Sequence, residues 1–433
     1  MKSRIILFAT VVSLFFPATA ARAQEEDLTL PEAIGRSLEN NYGIIISRAD
    51  REVASINNHW GTAGRYPTIG FNLSDNITGD LGSPGYTNRL SGGVGLNWIL
   101  FDGFRVNRTK ARLESLKELA EGTLGVTVES AIQDVVLAYY NILLQKEQLQ
   151  VLKTVMDLSA DRYEYERRRQ QLGGSVTYNV LQAQNVYLTD KANFLNQEVV
   201  VRNAVRNLNF LMGDEATRTW EFPEAFEADT SRYVLSDLLS KMTSSNQVLK
   251  NQYTHLLLSE QQTSLRESDY FPAVSVGAGM DYTHTWSGQN GTTSTGSGGF
   301  NPYGNLRISY DIYSAGVRKR SLEIARINED IARVEVDQME HALTNELFNL
   351  FDFYEVRIAL LQVADENLQA AELNLSISEE KYRSGVINSF NYRDIQLIYL
   401  SAAVRRLQAV YNLITSRTRL TRLTGGFLGY IDE

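Results

Sequence analysis

Residues 104–171 read FRVNRTKARLESLKELAEGTLGVTVESAIQDVVLAYYNILLQKEQLQVLKTVMDLSADRYEYERRRQQ, without a single proline. Good helix formers dominate this stretch. Its apolar residues keep the three-and-four spacing of one helix face: Ile132, Val135, Val136, Tyr139 and Leu143. At ~1.5 Å per residue, a helix of this length extends roughly 100 Å. Residues 316–384 form a second proline-free stretch of similar length. Two helices this long predict coiled-coil-like packing across a wide gap.

The sequence contains an internal duplication. Position n resembles position n+205 in the first part of each copy, as with Asn41 and Asn246, and n+212 in the second part, as with Gly173 and Gly385. An insertion near 287–300 reconciles the two offsets. Each copy predicts a short helix, a strand, a loop, a strand, a very long helix, a tight turn and a long helix. The expected divisions are a first repeat at 24–213, a polar, acidic linker at 214–232 and a second repeat at 233–433.

The N-terminus predicts a secretory signal peptide over residues 1–23. Lys2 and Arg4 precede an apolar run from Ile5 to Phe16, and Ala21-Arg22-Ala23 forms a cleavage site before Gln24. The alternative is a membrane anchor, but this run falls short of the roughly 20 residues that span a bilayer as a helix. Removing the segment takes away three basic residues, so the mature charge is 39 minus 51, or −12. The sequence therefore predicts an exported protein.

The composition excludes several kinds of chemistry. The chain of 433 residues has no cysteine, so disulfides, thiolate metal sites, a cysteine nucleophile and an acylated N-terminal cysteine are ruled out. Its four histidines are too dispersed for a histidine-built metal site. The net charge of −9 argues against a nucleic-acid partner. With no nucleophile, base and acid in a recognisable pattern, the sequence predicts neither an enzyme nor a bound cofactor.

Four segments alternate apolar and polar residues with the period of a strand: 68–74, 94–100, 274–282 and 306–312. This alternation fits both a half-buried soluble sheet and a membrane barrel wall. Strand lengths near ten residues, with Trp98 and Trp286 near strand ends, favour the barrel, because aromatic residues gather at membrane interfaces. The segments 80–89 and 287–300 are polar and are expected to form flexible outer loops.

Four strands cannot close a barrel, and a bilayer does not tolerate an open sheet edge. If these strands lie in a membrane, several chains must share one barrel: two give eight strands, three give twelve and four give sixteen. A barrel of eight strands is filled by its own side chains, so a conducting channel needs more. Polar positions suited to a wet interior are Asn72, Asn97, Arg307 and Asp311. These arguments predict an oligomer and leave its number open.

The chain resembles the TolC-type outer-membrane efflux proteins. The resemblance rests on the duplicated order, on Leu28-Thr-Leu-Pro-Glu-Ala33 with Glu39-Asn-Asn41, on Trp98-x-x-Phe-Asp-Gly103, and on a glycine-centred turn before the second long helix. It implies a mainly α fold with a small β part. Duplicated helical hairpins would form an α-barrel in the periplasm, and four strands per chain would contribute to a twelve-stranded transmembrane barrel in a homotrimer.

The same resemblance implies a function. Such proteins are passive exit channels of tripartite efflux pumps or type I secretion systems, and they dock onto a periplasmic adaptor and an inner-membrane transporter. The expected location is the outer membrane of a Gram-negative bacterium, without a lipid anchor. The alternative is a periplasmic coiled-coil adaptor or scaffold that has no membrane barrel and is released as a soluble protein.

The resemblance also implies that the two turns between long helices form the periplasmic tip of the channel. Glycine there ends one helix where a positive φ is needed, and Thr177 or Asn388 is expected to cap the next helix. The turn residues expected to dock the adaptor are Gly173, Gly174, Gly385 and Asn388.

The resemblance also implies a gate at this tip. Relatives carry two rings of aspartate where this chain has Asn391 and Asp394, and a tethering tyrosine that corresponds to Tyr382. The usual partner of that tyrosine, often aspartate, is Asn179, and a common arginine is replaced by Ile387. One acidic ring is therefore expected instead of two. Without the resemblance, Asp394 reads as a solvated helix residue and Tyr382 as ordinary packing between helices.

Overall fold

The computed structural model describes residues 26–79, 85–289 and 292–427, with the side chains of 289 and 292–295 left out. The predicted signal peptide lies outside the described residues. Helices make up most of the rest, as predicted. They are α1 (Leu30–Asn40), α2 (Tyr42–Asn57), α3 (Arg105–Gln171), α4 (Thr177–Met212), α5 (Leu235–Ser245), α6 (Gln247–Glu267), α7 (Val317–Arg383) and α8 (Ser389–Leu423).

The two very long helices predicted from the proline-free stretches are confirmed. Helices α3 and α7 have 67 residues each, which corresponds to roughly 100 Å. Helix α3 packs against α2, α4, α6 and α8, and α7 packs against α6 and α8. Among the described residues, no helix combines the length and the apolar character that crossing a membrane requires.

Four antiparallel strands form one sheet in the order β2-β3-β5-β6. They are β2 (Thr68–Gly79), β3 (Gly85–Phe101), β5 (Ala273–Gln289) and β6 (Thr292–Ser309). The repeats therefore meet where β3 pairs with β5. Strands β2 and β6 lie at the edges, and neither pairs with another strand on its outer side within the described part of the chain. Two short strands that the sequence did not reveal, β1 (Glu26–Asp27) and β4 (Trp220–Glu221), pair in parallel elsewhere.

The strand register places most apolar residues of the four strands on one face, because residues paired across strands point to the same side. Residues on this face include Phe71, Leu73, Val94, Leu96, Trp98, Val276, Met280, Leu306 and Ile308. Residues on the opposite face include Asn72, Ser91, Asn97, Ser275, Asp281, Asn305 and Arg307. A sheet with one apolar and one polar face fits a membrane barrel wall with a wet interior.

Three sequence expectations about the strands were wrong. The strands have 12 to 18 residues and not about ten. The described parts of the segments expected to be flexible loops belong to strands: β3 begins at Gly85, β5 runs to Gln289 and β6 starts at Thr292. Pairing along the hairpins overrides the weak β-propensity of serine and glycine. Finally, β6 ends at Ser309, so Asp311 lies in the connection to α7, where its carbonyl accepts a hydrogen bond from Arg318.

Corresponding asparagines hold the short and long helices together in both halves of the chain. The Asn41 side chain caps α2 through the N–H groups of Gly43 and Ile44, and its amide donates to the Leu211 carbonyl at 2.8 Å. Asn246 caps α6 and donates to the Leu423 carbonyl at 2.9 Å. In this way one side chain starts a helix and joins it to the end of another.

The segment expected to be a polar linker, 214–232, is mostly exposed but is attached to the core by three aromatic side chains. It brings Trp220, Phe222 and Phe226 into the main hydrophobic cluster, together with Tyr139 and Leu208 of the long hairpin. The indole N–H of Trp220 donates to the Asn209 Oδ1 at 2.8 Å, and the Asn209 amide donates to two carbonyls of the same segment. Because the segment is rich in acidic residues, its composition did not indicate that these three aromatic side chains are buried.

Glu129 is a buried carboxyl group in the middle of α3. Its side chain is 3% exposed, and its Oε1 has no hydrogen-bond partner in the described structure. Burial raises its pKa to about 7, although Arg422 and Lys250 partly oppose the shift. The neutral form is therefore favoured in the folded state, so this group reduces stability progressively as pH rises from about 4.5 to about 7.

We expect Glu129→Gln to remove this pH dependence. At pH 5 the variant and the parent should be similarly stable, whereas at pH 8 the variant should be more stable by on the order of 2–3 kcal/mol. Thermal unfolding followed by circular dichroism at several pH values measures the difference. Glu118→Gln, at an exposed site on the same helix, is the control and should show the same pH dependence of stability as the parent. Identical pH profiles for Glu129→Gln and the parent would contradict the assignment.

Candidate functional site at the helix tips

Two glycine turns close the long hairpins. Gly173 ends α3 with φ +79°, and Gly385 ends α7 with φ +78°. The following amides bond back into each helix: Gly174 N–H to the Arg169 carbonyl, and Val386 N–H to the Lys381 carbonyl, both at 2.8 Å. A Cβ on either glycine would meet no atom within 4 Å. Backbone conformation, and not lack of space, therefore requires glycine at these two turns.

Only one of the two suggested caps is present. The Asn388 Oδ1 accepts hydrogen bonds from the N–H groups of Phe390 and Asn391, so Asn388 caps α8 as predicted. Thr177 does not cap α4, because the helix begins at Thr177 itself and the preceding Val176 has no side chain that can accept. The Thr177 hydroxyl instead accepts from the Gln170 amide across the turn.

Tyr382 is buried between the two hairpins, but its partner differs from the expected one. Its hydroxyl donates to the Glu166 Oε1 of α3 at 2.7 Å. The Ser175 hydroxyl donates to the other oxygen of Glu166 at 2.6 Å, and the Asn179 amide donates to Ser175. Asn179, expected to be the partner of Tyr382, thus belongs to the same network but is three hydrogen bonds away from Tyr382. A carboxylate one helix earlier takes the role that the resemblance assigned to Asn179.

Aromatic rings surround this hydrogen bond. Tyr382 stacks on Tyr392 with centroids 4.9 Å apart and meets Tyr165 edge to face at 5.2 Å. Burial, followed by the hydrogen bond to Glu166, raises the pKa of Tyr382 well above its usual value. The hydroxyl therefore remains a donor at physiological pH, and it bonds to a carboxylate that is itself buried.

A buried ion pair joins the hairpins a few residues further along. Arg393 of α8 holds Asp190 of α4 with two hydrogen bonds of 2.8 and 2.9 Å. Arg162 of α3 is only 3% exposed and donates to the Ser389 carbonyl. Burial and the nearby Arg393 lower the pKa of Arg162. Two arginines and two carboxylates are thus enclosed among four helices, with balanced charge.

Sequence reasoning missed Glu166, Arg162, Asp190 and Arg393, although a signal existed. The buried seam of α3 continues at three-and-four spacing through Val155, Ser159, Arg162 and Glu166. Extending the apolar stripe to the end of the helix would have placed charged residues at core positions. Buried charges require partners, so a polar network at the tip would have been the physical expectation.

Asn391 and Asp394 lie on an exposed face of α8, away from the buried network. Both side chains are exposed, and neither makes a side-chain hydrogen bond or an ion pair within the described residues. The face continues through Leu397, Ile398 and Ser401. The structure of one chain therefore separates two groups of predicted tip residues: Tyr382 and Asn179 are part of the buried network, and Asn391 and Asp394 are not.

Trp98 and Trp286 lie on the apolar face of the sheet, near opposite ends. Trp98 pairs with Val276, and Trp286 is ten positions further along the same strand. At about 3.3 Å per residue this separation is roughly 33 Å along the strand. At a strand tilt of about 40° it becomes a height of roughly 25 Å, the height of the apolar band of outer-membrane barrels.

This fold defines a class of protein: a membrane channel whose β wall continues into long helical hairpins. Comparison with known families agrees. The sequence model of the family described as "Outer membrane efflux protein" matches residues 33–214 and 238–426. The chain therefore belongs to the outer membrane efflux protein family. Membership agrees with the predictions of an outer-membrane location and of a transport protein that is not an enzyme.

Individual relatives are distant but similar over nearly the whole chain. The "Probable efflux pump outer membrane protein TtgC" of Pseudomonas putida is 21% identical over 92% of this chain and 83% of its own length. The outer membrane channel CmeC of Campylobacter jejuni superposes with a TM-score of 0.74 at 16% identity, covering 92% of this chain and 85% of CmeC. VceC of Vibrio cholerae gives 0.72 at 15% identity, covering 92% and 96%. These structures show the shared fold.

Breaking the Asp190–Arg393 pair should loosen the tip. Arg393→Met leaves Asp190 buried and unpaired, so we expect a loss of about 3–5 kcal/mol, whereas the double variant Asp190→Leu/Arg393→Met should recover most of it. Hydrogen exchange at the ends of α4 and α8 measures the effect locally. Arg383→Met is the control, because its pair with Glu379 is exposed and contributes less than about 1 kcal/mol. Equal effects of the two arginine substitutions would contradict the assignment.

Proposed function

We propose that three copies of this chain form the outer-membrane exit channel of a tripartite efflux pump. The observation that carries the proposal is the four-stranded sheet with one apolar face and two edge strands that have no outer partner among the described residues. Three such sheets supply twelve strands, enough for a barrel with an open interior. Each edge strand then pairs with a neighbouring chain, so no backbone group faces lipid unpaired.

The helices support the same assembly. Helices α2, α4 and α7 lie at the flanks of one chain, since α3, α6 and α8 pack between them. Each flank helix carries exposed apolar side chains at helical spacing. They include Tyr42, Ile46 and Val53 on α2, Leu181, Leu188 and Leu195 on α4, and Ile324, Ile331, Val356 and Val363 on α7. Exposed apolar stripes with a spacing close to a heptad are typical of helices that pack against partner helices. A neighbouring chain would supply these partner helices.

The relatives favour an efflux pump over a type I secretion system. TtgC is named as a probable component of an efflux pump, and the related ArpC of Pseudomonas putida as a component of an antibiotic efflux pump. The partners would be a periplasmic adaptor and an inner-membrane transporter that supplies the energy. Exposed apolar residues at the two turns, Leu172, Val176 and Val386, offer the adaptor a contact surface beside Gly173, Gly174, Gly385 and Asn388.

The buried tip network would act as the latch of the gate. Tyr382 with Glu166, and Arg393 with Asp190, both join the α3–α4 hairpin to the α7–α8 hairpin within one chain. Opening the tip by moving one hairpin relative to the other would break these bonds. Asp394, repeated three times around the axis, would form one acidic ring, while Asn391 would leave the second ring neutral.

The alternative, a soluble periplasmic scaffold, is disfavoured by the sheet. Phe71, Leu73, Leu306 and Ile308 are each more than 60% exposed in one chain. A soluble protein would leave this face in water or bury it against an unidentified partner. Extraction distinguishes the two: a channel requires detergent, and a scaffold is released by osmotic shock.

Reconstitution in planar bilayers tests the channel directly. We expect the purified protein to conduct with a preference for cations, and Asp394→Asn to lower the cation-to-anion permeability ratio by roughly half or more. Glu380→Gln, at an exposed site on α7 near the same tip, should leave selectivity unchanged. Absence of conductance would reject the channel, and unchanged selectivity in Asp394→Asn would reject the acidic ring.

The latch has its own test. Tyr382→Phe keeps the ring stack but removes the bond to Glu166. A hydrogen bond to a charged group contributes roughly 1.5–3 kcal/mol, so the open fraction should rise by about tenfold or more. Single-channel recording measures this fraction. Tyr163→Phe is the control, because the Tyr163 hydroxyl has no hydrogen bond among the described residues. A similar open fraction in Tyr382→Phe and the parent would remove Tyr382 from the gate.

A further inference from the structure

A cavity of about 350 Å³ lies where β3 continues into α3. Arg65, Trp98, Asp102 and Phe104 contribute to its lining. Strand β3 pairs with β5 along this stretch, but its pairing with β2 ends at Asn97, so the cavity lies at the end of the sheet beside the segment that precedes β2. Pairing between chains at the sheet edges lies in the plane of the sheet and leaves the outer face of β3 uncovered here.

The cavity is at the boundary between apolar and polar surface. The Trp98 indole N–H donates to the Arg65 carbonyl at 3.0 Å, which holds the segment before β2 against the apolar face of the sheet. Leu100 and Phe104 are exposed beside it. Lipid chains would contact this face above the cavity, and lipid headgroups would lie at its level.

Two opposite charges in the cavity lack ionic partners. The Arg65 guanidinium stacks over Trp60 at 4.6 Å and forms no ion pair within the described residues. The half-buried Asp102 accepts one hydrogen bond, from the Val106 N–H at 3.3 Å, and has no basic partner there either. By contrast, the nearby Arg105 and Arg108 are paired with Asp269 and Glu267. Arg65 and Asp102 are the two charged residues that line this cavity, and neither is neutralised by a neighbouring charge among the described residues.

The second repeat has no equivalent. By the two offsets, Arg65 corresponds to Tyr270 and Asp102 to Ser314. The arginine of that junction, Arg318, lies over Tyr270 and Tyr310 and donates to the carbonyls of Asp269 and Asp311. If a charged pair were required only to stabilise the strand-to-helix junction, both repeats would need one. The two charged residues occur at the junction of the first repeat alone, which points to a ligand.

We propose that this cavity binds the headgroup of a zwitterionic phospholipid bearing a primary ammonium group, one per chain. The phosphate contacts the Arg65 guanidinium, the ammonium contacts the Asp102 carboxylate, and the acyl chains follow Trp98 and Leu100 along the outer face. An anionic headgroup would leave Asp102 unpaired and would meet its negative charge. The proposal rests on the sheet being embedded in a membrane, as the proposed function requires.

Native mass spectrometry of the detergent-purified full-length protein tests the site. Phosphatidylethanolamine, phosphatidylglycerol and phosphatidylcholine with identical acyl chains are titrated separately. We expect phosphatidylethanolamine to bind most tightly, with one tight site per chain. Arg65→Gln and Asp102→Asn should each weaken it by about tenfold. Asp102→Asn keeps the acceptor for the Val106 N–H, so the start of α3 is preserved. Arg405→Gln, at an exposed site on α8, is the control.

The outcomes are distinct. Equal binding of phosphatidylglycerol, or full affinity in Asp102→Asn, would overturn the role of Asp102, and full affinity in Arg65→Gln would overturn the site. Soluble phosphoethanolamine at millimolar concentration should not displace the lipid, and displacement would overturn a site for the intact lipid. Conductance of each variant in planar bilayers separates this result from the proposed function. A parent that does not conduct rejects the channel, whereas conducting variants with unchanged lipid binding reject only the lipid site.

Discussion

The architecture depends on one constraint: backbone N–H and C=O groups cannot remain unpaired in hydrocarbon. One chain supplies an apolar sheet face that needs lipid and two sheet edges that lipid cannot satisfy. The fold is therefore incomplete as a monomer. A second requirement acts outside the membrane, where the exposed apolar stripes on α4 and α7 need partner helices to cover them. Association between chains satisfies hydrogen bonding in the sheet and apolar burial in the helices together.

The middle and the tip of the long helices are held by different interactions. Near the middle of α3 and α7, the helices pack on an apolar core that includes Tyr139, Trp220 and Tyr354. At the tips the same seam becomes polar, with Arg162 and Glu166 at core positions. An apolar seam stabilises helix packing through many nonspecific contacts. A buried polar network stabilises it only when every hydrogen-bonding partner is in place. The proposed gate lies at this polar part of the seam, where the loss of one partner would weaken the contact between the hairpins.

Much of the fold could be predicted because it follows from local patterns. Absence of proline and helical spacing identified α3 and α7, and alternation identified four strands. The ends of β5 and β6 could not be predicted, since serine and glycine carry little strand preference and are ordered by hairpin pairing. The tip glycines and Asn388 were predicted from turn and cap chemistry. Glu166 and Asp190 were missed because charged residues on a helix usually face water, and their burial depends on a second hairpin distant in sequence.

Cross-linking between sheet edges tests the central claim most directly. The natural chain lacks cysteine, so one cysteine can replace Asn72 in β2 while a second is moved along β6 through Asn301, Asn305 and Arg307. A short bis-maleimide is then applied to isolated outer membranes. The account predicts a band of three chain masses on a denaturing gel for at least one pairing, and none for the single-cysteine variants. Monomers alone from every pairing would contradict a barrel shared between chains.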